Sequence, residues 1–381
     1  MIQFGIDILL KQNPSWKKKS IALVTNHAAT TNKLIPSRKA LLDKGFNIIK
    51  LFSPEHGLDV QGADGKKMKD GMDQLTHLPI ISLYNKKLAP VKKDLIDVDI
   101  VLLDIPDIGC RCYTYLWTMT YVLEACAKHK KKLIILDRPN PISGNLKLAE
   151  GPMLDEKKCA SFIGRWNIPL RHSCTLGELA LYFNQTKNIH ADIEIIKCKN
   201  WKRNMFFSDW KISFVPTSPA IKNFEAMLLY PGLVLLEATN ICEGRGTDFS
   251  FTSIAAPWLN IEKIKGLVNI NYMTVDYMPK ESKYKNEVCF GFAFRPNKKI
   301  RPVLLGLDII RKIKTHFPKH FIWKPYPTNV NPTGKNHLDK LSGIYKSEKL
   351  FNLSQKEFEK KLQLFVDVKD WKKQIKKYLL Y

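Results

Sequence analysis

Five short runs of β-branched and aliphatic residues punctuate the first 140 residues, and each stops abruptly at polar residues of catalytic types. Ile21 to Thr25 leads into Asn26 and His27, Asn47 to Phe52 into Ser53-Pro54-Glu55-His56-Gly57, and Pro79 to Leu83 into Tyr84. Ile100 to Leu103 gives way to Asp104 and Asp107, then to Gly109, Arg111 and Tyr113; Leu133 to Leu136 gives way to Asp137-Arg138-Pro139-Asn140-Pro141. Helix-like stretches, Arg38 to Leu42 and Leu116 to Lys128, separate the runs. Short apolar runs with intervening helices predict a buried parallel sheet in an α/β fold. Every strand of such a sheet opens at its C-terminal end on the same edge, which predicts that these polar groups share a crevice.

A chain of 381 residues exceeds one average domain, and the composition places a boundary near Leu228: residues 1–228 form the α/β domain of the sheet and 229–381 an α+β domain closing over it. Within the first part, Thr175 followed by Glu178 forms a capping box for a helix over Leu176 to Asn184, and Ile193 to Cys198 has the pattern of a strand. The second part opens with Tyr230 to Asn240, which has the pattern of an apolar strand ending in Glu237, followed by Glu243, Gly244 and Arg245. A strand is expected over Val288 to Arg295, a helix from about Pro302 to Thr315, and a Lys-rich amphipathic end from Ser354 to Tyr381.

The formal charge of +25 invites a polyanion partner, but the lysines are scattered in small clusters with no basic arm. They therefore read as solvated surface, and no specific nucleic acid is expected. The eight cysteines have no paired spacing and read as buried free thiols. With neither a membrane span nor a signal-peptide pattern, the expected location is cytoplasmic. A dinucleotide site would need glycines after the first strand, where this chain has Asn26 and His27, so no nucleotide cofactor is expected. His316 and His320 flank Pro318 and lack the glutamate of a zinc motif, so no metal is expected either.

Glu55 is the most loaded position, because a carboxyl group at a strand end in a cleft can be desolvated into a general acid, with His56 to orient it or to hold a substrate hydroxyl. Asp104, Asp107 and Arg111 form a second dense segment; Arg111 has the fork geometry to hold a carboxylate, unless it pairs with Asp107. Tyr113 or Thr114 opens a helix beside them. Two prolines stiffen the loop of Asp137, Arg138 and Asn140, which suits substrate binding or a structural pair equally. Glu237, Glu243 and Arg245 offer further carboxylates, of interest because glycosidic cleavage usually employs two acidic groups.

Taken in order, the segments VTNHA (24–28), FSPEHG (52–57), SLY (82–84), DIPDIGCRCYTY (104–115), DRPNP (137–141), EGP (150–152), RHSCTLGELA (171–180), YPG (230–232), LLEATN (235–240) and EGRGTDFSF (243–251) resemble one family, the NamZ-like exo-β-N-acetylmuramidases of peptidoglycan turnover. The chain departs from the family pattern after PEHG, where it has Ala63-Asp64-Gly65-Lys66-Lys67. The resemblance implies a Rossmann-like domain, a smaller second domain, and a site between them that releases N-acetylmuramic acid from the non-reducing end of peptidoglycan fragments. It also implies that the PEHG glutamate, Glu55, is the catalytic carboxylate.

From these residues the expected catalytic groups are Glu55, His56, Tyr113 and Glu243. The expected substrate-binding groups are Asn26, His27, Asp104, Asp107, Arg111, Asp137, Arg138, Asn140, Glu237 and Arg245. Arg111, Arg138 and Arg245 are candidates for the lactyl carboxylate of muramic acid. The partner of Glu55 stays open between Glu237 or Glu243, Tyr113 or Tyr115, and the acetamido group of the substrate. Oligomeric state is open too. The competing expectation is a non-catalytic binder of acidic glycans.

Overall fold

The computed structural model describes residues 1–266 and 269–381. Among them, β1 (Ile21–Thr25), β2 (Ile48–Ser53), β3 (Gly71–Met72), β4 (Pro79–Ser82), β5 (Ile100–Asp104), β6 (Lys132–Leu136) and β7 (Ile193–Ile196) form one sheet in the order β3-β4-β2-β1-β5-β6-β7. All neighbours pair in parallel except the two-residue edge strand β3. The register sets Leu23 opposite Leu51 on one side and Leu102 on the other.

Side-chain alternation sorts the strand residues into two apolar layers. Ala22, Val24, Val101, Leu103, Leu133 and Ile135 join the layer that packs under the helices Tyr115–Lys128 and Leu176–Thr186. Ile21, Leu23, Ile100, Leu102, Ile134 and Leu136 face the opposite layer, with Phe46, Trp201 and Trp210. Burying each Val, Leu or Ile side chain among them contributes roughly 1.5–3 kcal/mol, so covering both faces is what holds the strands together.

The expected capping box is present: the Thr175 hydroxyl accepts the Glu178 N–H at 3.2 Å, and the Glu178 carboxylate accepts the Thr175 N–H at 3.0 Å.

The later part contains an antiparallel sheet of β8 (Ser253–Ala256), β9 (Tyr272–Tyr277) and β10 (Cys289–Phe294) in the order β8-β10-β9. The strand expected over Tyr230 to Asn240 is instead a helix, Phe224–Leu233, continued by a tighter 3₁₀ turn, Val234–Ala238. A short apolar run buried on all sides has no periodicity to distinguish the two. The signal that does is Asn223, whose side chain accepts the Ala226 N–H at 2.8 Å. Leu228, the expected domain boundary, lies within this helix.

Gly232 faces the helix Pro302–His316 so closely that a Cβ there would lie 1.8 Å from the Pro302 carbonyl oxygen. The YPG segment is thus a helix crossing. The amphipathic end forms two helices, Gln355–Val366 and Lys369–Ile375, and Tyr381 then meets Asp137 and Cys198 at the ends of β6 and β7. All eight cysteines are buried and unpaired. No helix among the described residues is long and apolar enough to cross a membrane.

Candidate active site

Pro54 ends β2, and His56 (φ 67°) and Gly57 (φ 76°) follow it in the left-handed region. Such a conformation is strained for His56, and strain of this kind concentrates at functional sites. The turn leaves Glu55 buried, with its carboxylate held from two sides. The Gly65 N–H donates to Oε1 at 3.0 Å and the Thr114 hydroxyl to Oε2 at 2.7 Å. Burial pushes the Glu55 pKa up; the charge of His56 opposes this and that of Asp64 adds to it. Tyr84, at the exit of β4, faces the same carboxylate, and burial followed by the Glu55 charge drives its hydroxyl pKa far up.

His56 is oriented by its own loop. Its Nδ1 lies 2.8 Å from the Gly62 carbonyl, which can only accept, so Nδ1 carries the hydrogen.

Across from Glu55 stands a charged group from the second part of the chain. The Arg245 guanidinium donates to Glu237 Oε1 at 2.6 Å, and lies 3.2 Å from Glu243 Oε1 and 3.6 Å from Asp64 Oδ1. His337 Nε2 meets the other Glu237 oxygen at 3.2 Å, and the His337 ring stacks on Tyr326 with centroids 4.7 Å apart. The Tyr326 hydroxyl donates to Asp64 Oδ2 at 2.8 Å. Partial burial raises the Asp64 pKa, but Arg245, His56, Tyr326 and His337 outweigh it, and the net shift is downward.

Glu55, His56, Asp64, Tyr84, Tyr113, Glu237, Arg245, Tyr326 and His337 line one cavity of about 560 Å³ including its mouth. A buried acid pushed toward the neutral form thus shares a cavity with a carboxylate held as the anion, the arrangement that separates an acid from an electrostatic stabiliser.

Two adjoining family models, described as the N-terminal and C-terminal parts of the exo-β-N-acetylmuramidase NamZ, match residues 21–225 and 228–381. The chain belongs to the NamZ family. It is 36% identical over 394 residues to the peptidoglycan β-N-acetylmuramidase NamZ of Bacillus subtilis strain 168, covering 100% of this chain and 91% of that one. Two crystal structures of DUF1343 family proteins from Bacteroides fragilis NCTC 9343 are similar throughout. One has a TM-score of 0.87 at 28% identity and the other 0.75 at 27%, each covering 100% of this chain and 99% of the other.

Of the residues expected at the site of this NamZ-family chain, Glu55, His56, Tyr113, Glu237 and Arg245 line the Glu55 cavity. The Tyr113 hydroxyl is committed to Thr217 at 2.8 Å. Glu243 is not on the wall; it sits behind, between Arg245 and Lys283, whose Nζ is 2.8 Å from Oε2.

The structure gives the other expected residues different tasks. Arg111 is fully buried and donates to the carbonyls of Pro152 (2.7 Å), Ile168 (2.8 Å) and Leu341 (2.9 Å), pinning three segments together. Arg138 pairs with Asp104, its Nη2 at 2.9 Å from Oδ2, and donates to the Thr30 carbonyl at 2.7 Å. Asp107 accepts the Gly109 N–H at 2.7 Å and faces His172 at 3.2 Å. Asp137 accepts the Gly177 N–H at 2.9 Å, and Asn140 donates to the Cys174 carbonyl at 3.0 Å. Asn26 accepts the Ala28 N–H at 3.1 Å within its own turn, and His27 lines a separate open cavity with Arg38 and Asp73.

Strand order explains the division. β6 lies three strand spacings from β2, roughly 14 Å, too far for the Asp137 loop and Glu55 to hold one sugar ring.

Asp64, Tyr326 and His337 were not anticipated as site residues. Asp64 stands only nine residues beyond Glu55, whereas Tyr326 is 262 positions from the Asp64 carboxylate it serves, with no local motif to mark it. Tyr84 was visible as the residue ending the third apolar run.

Proposed function

We propose that Glu55 is the general acid with which this exo-β-N-acetylmuramidase cleaves its substrate. The protein is a glycoside hydrolase that releases terminal N-acetylmuramic acid from the non-reducing end of peptidoglycan fragments. The observation that carries the assignment is the burial of Glu55 between the Gly65 amide and the Thr114 hydroxyl, in the cavity that Asp64 and Arg245 also line. A desolvated carboxyl group keeps its proton at pH values where a solvated one has lost it. It can then protonate the glycosidic oxygen as the bond breaks, and afterwards take a proton from water.

The division of labour follows from the same proposal. Residues 1–228 supply Glu55 and its donors, while 229–381 supply Arg245, Tyr326 and His337 to close the cleft. The buried, unpaired state of every cysteine supports a reducing, cytoplasmic setting. Incubation with a disaccharide ending in N-acetylmuramic acid, followed by mass analysis, should give free N-acetylmuramic acid and the second sugar. Glu55→Gln should lower kcat by ~10²–10⁴. Turnover near that of the wild type would remove Glu55 from the role.

A further inference from the structure

We infer that Asp64 is a second catalytic carboxylate, which accepts the N–H of the substrate's acetamido group while that group's own carbonyl oxygen attacks C1. The inference rests on the muramidase reading of the Glu55 cavity and names its missing partner. Three acids line that cavity: Glu55, Asp64 and Glu237. Glu237 has both oxygens engaged, Oε1 by Arg245 at 2.6 Å and Oε2 by His337 at 3.2 Å. Asp64 has one oxygen engaged, Oδ2 by the Tyr326 hydroxyl at 2.8 Å. Its Oδ1 lies 3.6 Å from Arg245, beyond hydrogen-bond length, and so retains lone-pair capacity for a donor from the substrate.

Position and chemistry agree. Asp64 directly precedes Gly65, whose N–H holds Glu55 Oε1, so one turn of chain places both carboxylates. That turn is fixed from the other half of the protein. Gly65 has φ +66°, its carbonyl accepts the Asn329 N–H at 2.7 Å, and a Cβ on it would lie 2.8 Å from the Thr328 methyl. Arg245 foremost, together with the Tyr326 hydrogen bond, outweighs burial and shifts Asp64 toward the anion. A carboxylate held in that form is a weak base for activating water, since a general base works best with a pKa near the operating pH. It is well suited to stabilising a positive charge that develops beside it.

The reaction balances as follows. The acetamido oxygen bonds to C1 as the C1–O bond to the leaving sugar breaks, and the leaving oxygen keeps that electron pair and takes the proton of Glu55. The bicyclic oxazolinium ion carries the resulting positive charge, with its N–H donated to Asp64. Water then adds to C1 and gives a proton to the Glu55 carboxylate, and the ring opens to restore the acetamido group. The configuration at C1 is retained.

The test uses the full-length protein with 4-nitrophenyl β-N-acetylmuramide and its mono-, di- and trifluoroacetyl analogues. Wild-type kcat/KM should fall stepwise with fluorination, and proton NMR should show the β anomer released first. Asp64→Asn should lower kcat by ~10²–10³. It should also bind a muramyl thiazoline, the stable mimic of the oxazoline, on the order of 100-fold more weakly by calorimetry. Inversion at C1, a flat response to fluorination, or unchanged kcat and thiazoline affinity in Asp64→Asn would each overturn the inference. Should Asp64→Asn fail to unfold cooperatively, Asp64→Ser takes its place with the same expected losses, and unchanged kcat and thiazoline affinity in it would overturn the inference. Absence of any wild-type hydrolysis would instead overturn the muramidase reading, while calorimetry still reports whether Asp64 contacts the thiazoline.

Discussion

The Thr114 hydroxyl donates to Glu55 Oε2 at 2.7 Å, although Thr114 occupies the capping position of the helix Tyr115–Lys128, where a threonine would ordinarily bond its own helix amides. Thr114 makes no side-chain cap bond, and its hydroxyl hydrogen goes to the acid. This bond stabilises the ionised carboxylate and so lowers the Glu55 pKa against the upward push of burial. Thr114→Val should therefore raise that pKa further. The alkaline limb of kcat/KM should move to higher pH, with activity at the optimum reduced by roughly tenfold as orientation is lost. A pH–rate profile checks both, and an unmoved limb would disconnect Thr114 from the titrating acid.

Glu55 should also limit stability. Its folded pKa is raised above the unfolded value, so between the two the folded state holds a proton that the unfolded chain has released. Stability from this group is complete below the unfolded pKa and is lost as pH rises through the folded one. Glu55→Gln, which stays neutral, should unfold at a higher temperature than wild type at pH 8, with the difference closing toward pH 4. Thermal scans at the two pH values measure this directly.

Arg111 should matter for folding rather than for recognition. Its guanidinium satisfies three buried carbonyls, one of them from Leu341 in the later part of the chain. Arg111→Met should cost about 3 kcal/mol or more, since each unsatisfied buried carbonyl carries a penalty of ~1–3 kcal/mol. Urea denaturation should show the loss. The KM of whatever enzyme folds should stay near that of the wild type.

The Tyr381 hydroxyl donates to Asp137 Oδ2 at 2.8 Å, tying the last residue to the exit of β6. Burial pushes the Asp137 pKa up to about 6, and Tyr381 is among the groups that hold it down. Since the unfolded pKa is lower, stability from Asp137 declines as pH rises through about 6. Tyr381→Phe raises the folded pKa further, so it should cost ~1–2 kcal/mol at pH 8 and less at pH 5. Denaturation at the two pH values checks the sign.

Much of the fold was legible because its signals are local. The five apolar runs became β1, β2, β4, β5 and β6; Thr175 and Glu178 marked their helix, and Pro302 opened another. Tyr230 to Asn240 was misread as a strand because burial on all sides erases periodicity. Glu55 and His56 were legible from their position at a strand exit. Asp137 and Asn140 had the same local signature, yet the sheet sets them strands away from Glu55, holding loops in place.

The sequence by itself determined which segments become strands and helices, and which strand ends carry polar groups, because alternation, capping and turn chemistry act over a few residues. Only the tertiary structure decided which of those groups meet. Tyr326 reaches Asp64 across 262 positions, and Arg245 gathers Asp64, Glu237 and Glu243, because strand order and the packing of the two halves fix distances on which no local pattern depends. Charge and burial at Glu55 are properties of that assembly, and so is its capacity to hold a proton.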